Sequence, residues 1–143
     1  MGKSFMNNLQ NKKYDFIFSL GEACACTQVL RKCRLQFASF PFDWLYGSNI
    51  NKRAELISND MENWFNIEDL EKIGQREHPE PKDIYKNNKT GIVFNHDFPI
   101  NGELKNDYEK VKEKYDRRIN RLLENIRNSN NVLVVLFLFN LIL

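Results

Sequence analysis

Glycine and proline are scarce here, with six and four copies in 143 residues. No repeat and no low-complexity tract accompanies them, which excludes solenoid arrays and biased polar tracts. A charge surplus is also missing. Twenty-one basic residues face nineteen acidic ones, for a net charge of +2. That is too little to imply nucleic acid or an anionic membrane as partner. Cysteine is limited to three copies, Cys24, Cys26 and Cys33. An odd and clustered set is not a secreted disulfide framework, so reduced thiols and a cytoplasmic location are expected. The start, "MGKSFMNNLQNKKYD", has no apolar core of signal-peptide type. Its Met-Gly opening lacks the Ser or Thr at position six that myristoylation wants, since Met6 stands there. The longest stretch that is almost wholly apolar, Val132 to Leu143 with Asn140 inside it, is shorter than the roughly twenty residues a membrane span needs. No membrane span is therefore expected.

What is present is the profile of a globular protein, with 42% hydrophobic and 28% charged residues. The length predicts an N-terminal tail over residues 1–13 and a single domain over 14–143. "YDFIFS" reads as a first strand over Tyr14–Ser19, Gly21 as a tight turn and Glu22–Cys33 as a helix. The aromatic stretch after it, with Pro41, Phe40, Phe42, Trp44, Leu45 and Tyr46, reads as a loop anchored on the core. Short helices are expected between Lys52 and Leu70. "GQREHPEPKDIYKNNKTG" reads as a polar loop, and "GIVFNHDF" (Gly91–Phe98) as a second strand. Tyr108, Val111, Tyr115, Ile119, Leu122 and Ile126 recur at steps of three and four, which marks a long amphipathic helix. Asn106 and Glu109 have the spacing of a capping box at its start. The closing apolar run, Val132 to Leu143, reads as a buried strand of a parallel sheet. The expected class is α/β: a small mixed or mostly parallel sheet flanked by helices. The apolar ending suggests a chain truncated relative to a complete domain.

The chemistry candidates begin with "SLGEACACTQVLRKC", from Ser19 to Cys33. Cys26, Val29, Leu30 and Cys33 share one helical stripe, so Cys26 and Cys33 read as small core hydrophobes. Cys24 stands roughly 200° from Cys26 around the helix. It falls in the first turn, where unpaired N–H groups and the helix dipole favour a thiolate. Glu22 acts against this, because a nearby carboxylate disfavours the thiolate. Cys24 is thus either a reactive thiol or a plain buried one. The spacing of the three cysteines is not that of a zinc site, and neither metal nor cofactor is expected.

A cysteine nucleophile wants a base. His78 lies in a polar stretch and reads as a surface residue. His96 closes the second strand, and with parallel strands it would emerge at the same sheet edge as Cys24. Its other reading is a structural histidine. Asp97 is a doubtful orienter of its neighbour, because adjacent strand residues point to opposite faces. Asp43 in "PFDW" reads as a cap or turn residue. Arg117 belongs to the solvated face of the long helix. Arg118 sits beside the Tyr115/Ile119 stripe as an ion-pair partner or an anion clamp.

Together "YDFIFSLGEACACTQVLRK", "ASFPFDWLYG", "GIVFNHDF" and "YEKVKEKYDRRINRLLENI" resemble a bacterial family of uncharacterised proteins called putative papain-like cysteine peptidases. The resemblance runs from Tyr14 to the final strand, with little from Asn51 to Lys89. The family's cysteine falls on Cys24, its histidine on His96, its Asp-Trp on Asp43 and Trp44, and its paired arginines on Arg117 and Arg118. It implies a cysteine hydrolase in which Cys24 attacks a carbonyl of a peptide or small-molecule substrate and His96 acts as base and then acid. The papain-type Cys-Gly-Ser-Cys-Trp signature and the glutamine before the nucleophile are both missing. The competing reading is a non-peptidase domain. There His96, Asp97, Asp43 and Arg118 bind a small anionic or sugar-like ligand, and Cys24 is structural.

Overall fold

The computed structural model describes residues 12–136. The chain runs through β1 (Phe16–Gly21), α1 (Ala23–Lys32), a 3-10 turn (Pro41–Trp44), β2 (Leu45–Gly47) and α2 (Ile50–Ser58). A second 3-10 turn (Ile67–Asp69) leads to β3 (Leu70–Arg76), β4 (Lys82–Asn87), β5 (Ile92–Pro99), α3 (Leu104–Asn128) and β6 (Val132–Leu136). The fold is α/β with two sheets. β1 and β6 form a parallel pair, and β2-β5-β4-β3 form an antiparallel sheet. The part of the terminal strand expected over residues 137–143 lies outside the described residues, as do residues 1–11 of the expected tail.

The two strands expected to share one parallel sheet edge do not share a sheet. β1 belongs to the parallel pair and β5 to the antiparallel sheet. The stretch expected as a polar loop is mostly the β3–β4 hairpin, with His78 exposed at its tip. The capping box is also displaced. α3 starts at Leu104 after Glu103, so Asn106 lies inside the helix and its amide donates to the Glu103 carboxylate at 3.3 Å.

One apolar cluster ties the layers together. Phe16, Phe18 and Leu20 of β1 join Phe94 and Phe98 of β5, and Tyr108, Val111, Tyr115, Ile119 and Leu122 of α3. The alternation of β1 and the 3.6 period of α3 put these side chains on facing surfaces. Trp64 and Phe65 fill the gap between β5 and α3, with ring centres 4.9 Å apart for Phe65 and Phe94 and 5.3 Å for Trp64 and Tyr115. The helical stripe of α1 is only half core. Cys26 and Leu30 are buried, but Val29 and Cys33 are exposed. α1 is packed along one edge only, so the outer part of its stripe meets water.

Candidate active site

β1 ends at Gly21, whose φ of 99° turns the chain toward α1. Glycine adopts that region without strain. A side-chain carbon there would collide with the guanidinium of Arg53, which is buried against the corner. Arg53 donates to the carbonyls of Leu20 at 2.7 Å, Gly47 at 2.6 Å and Leu45 at 3.3 Å. It therefore fixes the end of β1 against β2 through carbonyl oxygens. Burial lowers its pKa, and the charge of Glu22 opposes that shift.

Cys24 follows as the second residue of α1 and is half-buried. Its Sγ lies 3.9 Å from Tyr46 Oη, on β2. Burial raises the Tyr46 phenol above its ordinary value, and the contact with Cys24 raises it further. Tyr46 is thus a neutral hydroxyl at physiological pH. Its ring stacks on His96, with centres 6.3 Å apart and 27° between planes. Trp44 meets the same imidazole edge-on at 6.1 Å. Trp44, the last residue of the 3-10 turn, and Tyr46 of β2 flank the fully buried Leu45, and both aromatics meet the His96 ring while Leu45 enters the core.

His96 owes its position to an irregularity of β5. The register passes from Tyr85↔Phe94 to Asp83↔Phe98, so residues 95–97 stand opposite Ile84 alone. A bulge of this kind re-aims side chains and breaks strict alternation. His96 and Asp97 consequently line one cleft of about 230 Å³, together with Trp44, Lys114 and Arg118. Burial lowers the His96 pKa below 6.5, and the Arg76 charge adds to this. Its Nε2 is buried and has no hydrogen-bond partner among the described residues.

The remaining predicted residues divide. Asp97 directs one carboxylate oxygen to Lys114 and the other to Tyr115 Oη, at 2.9 Å. It therefore anchors β5 to α3 and does not hydrogen-bond His96. Arg118 is half-buried in the cleft, with its guanidinium 5.4 Å from the Tyr115 ring centre. Arg117 is exposed. Asp43 is not in the cleft. It is fully buried and accepts from Thr27 Oγ1 at 2.7 Å, Gln36 Nε2 at 2.6 Å and the Phe40 N–H at 2.8 Å. Asp43 thus clamps α1 to the aromatic turn that carries Trp44. Cys26, on the far side of α1, points its thiol at the Val135 carbonyl, 3.6 Å away. Among the described residues no group of three or more His, Cys, Asp or Glu side chains is placed to hold a metal ion. None of their helices is long and apolar enough to cross a membrane.

Cys24 and His96 come to the same region with Tyr46 between them, and Nε2 does not bond the sulfur. By sequence Tyr46 reads as an anchor and Arg76 as part of a loop, whereas they lie in β2 and β3. The two aromatics on either side of Leu45 were the available signal: Trp44 ends the 3-10 turn, Tyr46 lies in β2, and both meet the His96 ring.

A family model described as "Putative papain-like cysteine peptidase" matches residues 15–141. The chain belongs to this family. The papain-like match takes in Cys24, Asp43, Tyr46, His96, Asp97 and Arg118. The chain is also 34% identical over 118 residues to "Uncharacterized protein R408" of Acanthamoeba polyphaga mimivirus, covering 72% of this chain and 52% of that protein. It spans about half the length of the curated relative it matches. That relative is viral, so the expected bacterial source gains no support from it. No solved structure matches the chain.

Proposed function

We propose that the chain acts as a thiol hydrolase on acyl substrates, with Cys24 as nucleophile and His96 as base. The observation that carries this reading is the series of Cys24 Sγ, Tyr46 Oη and the His96 ring at the head of α1. The sulfur adds to the substrate carbonyl, forming a C–S bond while the carbonyl electrons move to oxygen. Tyr46 is a neutral donor next to the sulfur, so it and the free N–H groups of the first turn of α1 face the developing oxyanion. Tyr46 takes the place of the missing glutamine. The His96 Nε2 receives the thiol proton after side-chain rotation of Tyr46 and His96, since catalytic hydrogen bonds tighten when substrate binds. The oxyanion then re-forms the carbonyl, the bond from carbon to the leaving group breaks as His96 protonates that group, and a thioester remains. Water cleaves the thioester, releases the acid and restores the thiol.

The separation of Cys24 from Nε2 favours one other reading, a ligand-binding domain in which the cleft beside His96 does the work and Cys24 is structural. The reaction of Cys24 with iodoacetamide across pH, in Cys33→Ser chains, separates the two. The hydrolase reading expects alkylation at least tenfold faster than an unfolded-chain thiol, slowed by His96→Ala. Free-thiol rates that ignore His96→Ala would eliminate it.

A further inference from the structure

The cleft beside His96 holds more positive charge than its own carboxylate neutralises. Asp97 has both oxygens engaged by Lys114 and Tyr115. Arg118 lines the same cleft, and among the described residues it forms no ion pair. Arg76, at the end of β3, is near enough for its charge to act on both His96 and Tyr46. It too has no ion pair there, and its Nε is buried without a partner. The His96 Nε2 of the same cleft is buried and unpartnered as well, and as the base of the proposed reaction it stays free of the ligand. Guanidinium donors shielded from water without acceptors, as at the Arg76 Nε, are costly to keep. The acceptor that best satisfies them is an oxyanion, whose paired oxygens match a guanidinium fork. A neutral sugar would leave the Arg118 charge uncompensated. The cleft lies one aromatic ring from Cys24, so a group bound in it reaches the sulfur through a short linker.

We infer that this cleft holds an oxyanion group of the substrate, a carboxylate or a phosphate, on Arg118, with the charge of Arg76 acting from the end of β3, so that the enzyme selects acyl compounds charged on the His96 side of the scissile bond. This rests on the thiol-hydrolase reading for the reaction, though the binding step can be measured without it.

The test uses Cys24→Ala chains, which bind without turnover, and calorimetric titration with succinate, inorganic phosphate and neutral succinamide. At least one anion should bind tenfold or more tightly than succinamide. A preference for succinate identifies a carboxylate, and a preference for phosphate identifies a phosphate ester or anhydride. Arg118→Gln and Arg76→Gln should each weaken that anion about tenfold with an unchanged circular dichroism spectrum. Arg127→Gln, which alters an exposed pair with Asp60, should leave it unaltered. Equal binding of all three probes, no binding by any, or anion binding indifferent to both arginine variants would overturn the inference. Iodoacetamide rates on chains that retain Cys24 keep the two failures apart. A sluggish Cys24 with intact anion binding removes the hydrolase and leaves the anion cleft standing.

Discussion

Asp43 accepts three hydrogen bonds while shielded from water, so removing its carboxylate strands Thr27, Gln36 and the Phe40 N–H together. Each stranded donor costs about 1–3 kcal/mol. Asp43→Ala should therefore lower stability by about 3 kcal/mol or more in urea denaturation, and Asp43→Asn by less. Burial outweighs those bonds and raises the Asp43 pKa above 3.8. Its contribution is then fullest below the unfolded value and declines as pH rises through the folded one. His96 runs the other way. Its folded pKa lies below 6.5 because burial, then Arg76, disfavours the charged form. Its contribution is present above 6.5 and is lost as pH falls through the folded value. The His96 ring resonances in NMR should titrate below 6.5, and the rate of Cys24 alkylation should fall over the same interval. Tyr46→Phe keeps the stack on His96 but deletes the hydroxyl, so turnover should fall about a hundredfold with little loss of stability. The place of Cys24 in the first turn of α1 was legible because helix position is a local property, whereas His96 lies in the bulge of β5 and not at a strand end, so its approach to Cys24 was not. Asp43 as a turn residue was legible too, through its bond to the Phe40 N–H three positions back, but its clamp on Thr27 of α1 was not, since that contact forms only after folding.

At the scale of elements, the corner between β1 and α1 is the most exacting joint. Gly21→Ala would put a carbon into the Arg53 guanidinium and force a positive φ on an alanine. Either problem alone costs about 1 kcal/mol or more. The variant should melt several degrees lower, and Cys24 should lose its contact with Tyr46. α3 was readable because five of its six periodic positions, Tyr108, Val111, Tyr115, Ile119 and Leu122, are buried and the sixth, Ile126, packs against the cluster. The β3–β4 hairpin was not readable. The buried positions of β4 are Asp83, Tyr85 and Asn87, so polar residues occupy two of three core-facing sites. Asp83 is satisfied by Lys72 at 2.7 Å and Gln75 at 2.8 Å, and Asn87 donates to the Trp64 carbonyl at 3.0 Å. Hydropathy alone cannot see such a strand, because its burial is balanced by hydrogen bonds. The bulge of β5 was equally hidden, since register is set by the partner strand.

Across the whole molecule, the parallel pair and the antiparallel sheet share one apolar cluster, with Phe94 among its fully buried members. Phe94→Ala should cost about 3–5 kcal/mol. The loss should be felt by both sheets at once, so that far-ultraviolet circular dichroism and tryptophan fluorescence report one coincident transition. Separate transitions would mean that the sheets fold as independent units. The α/β class was legible from the order of apolar segments. The division into two sheets was not, because pairing between β1 and β6 spans more than a hundred residues and leaves no local mark. The exposed thiol of Cys33 has its own bearing on the molecule's behaviour. It stands at the water-facing end of α1, just past the last helical residue, where a second copy can approach. In air, two chains should join through this sulfur and run at twice their mass on a gel without reductant. Such a covalent pair would be an artefact of storage, and Cys33→Ser should abolish it while leaving the thiol beside Tyr46 intact.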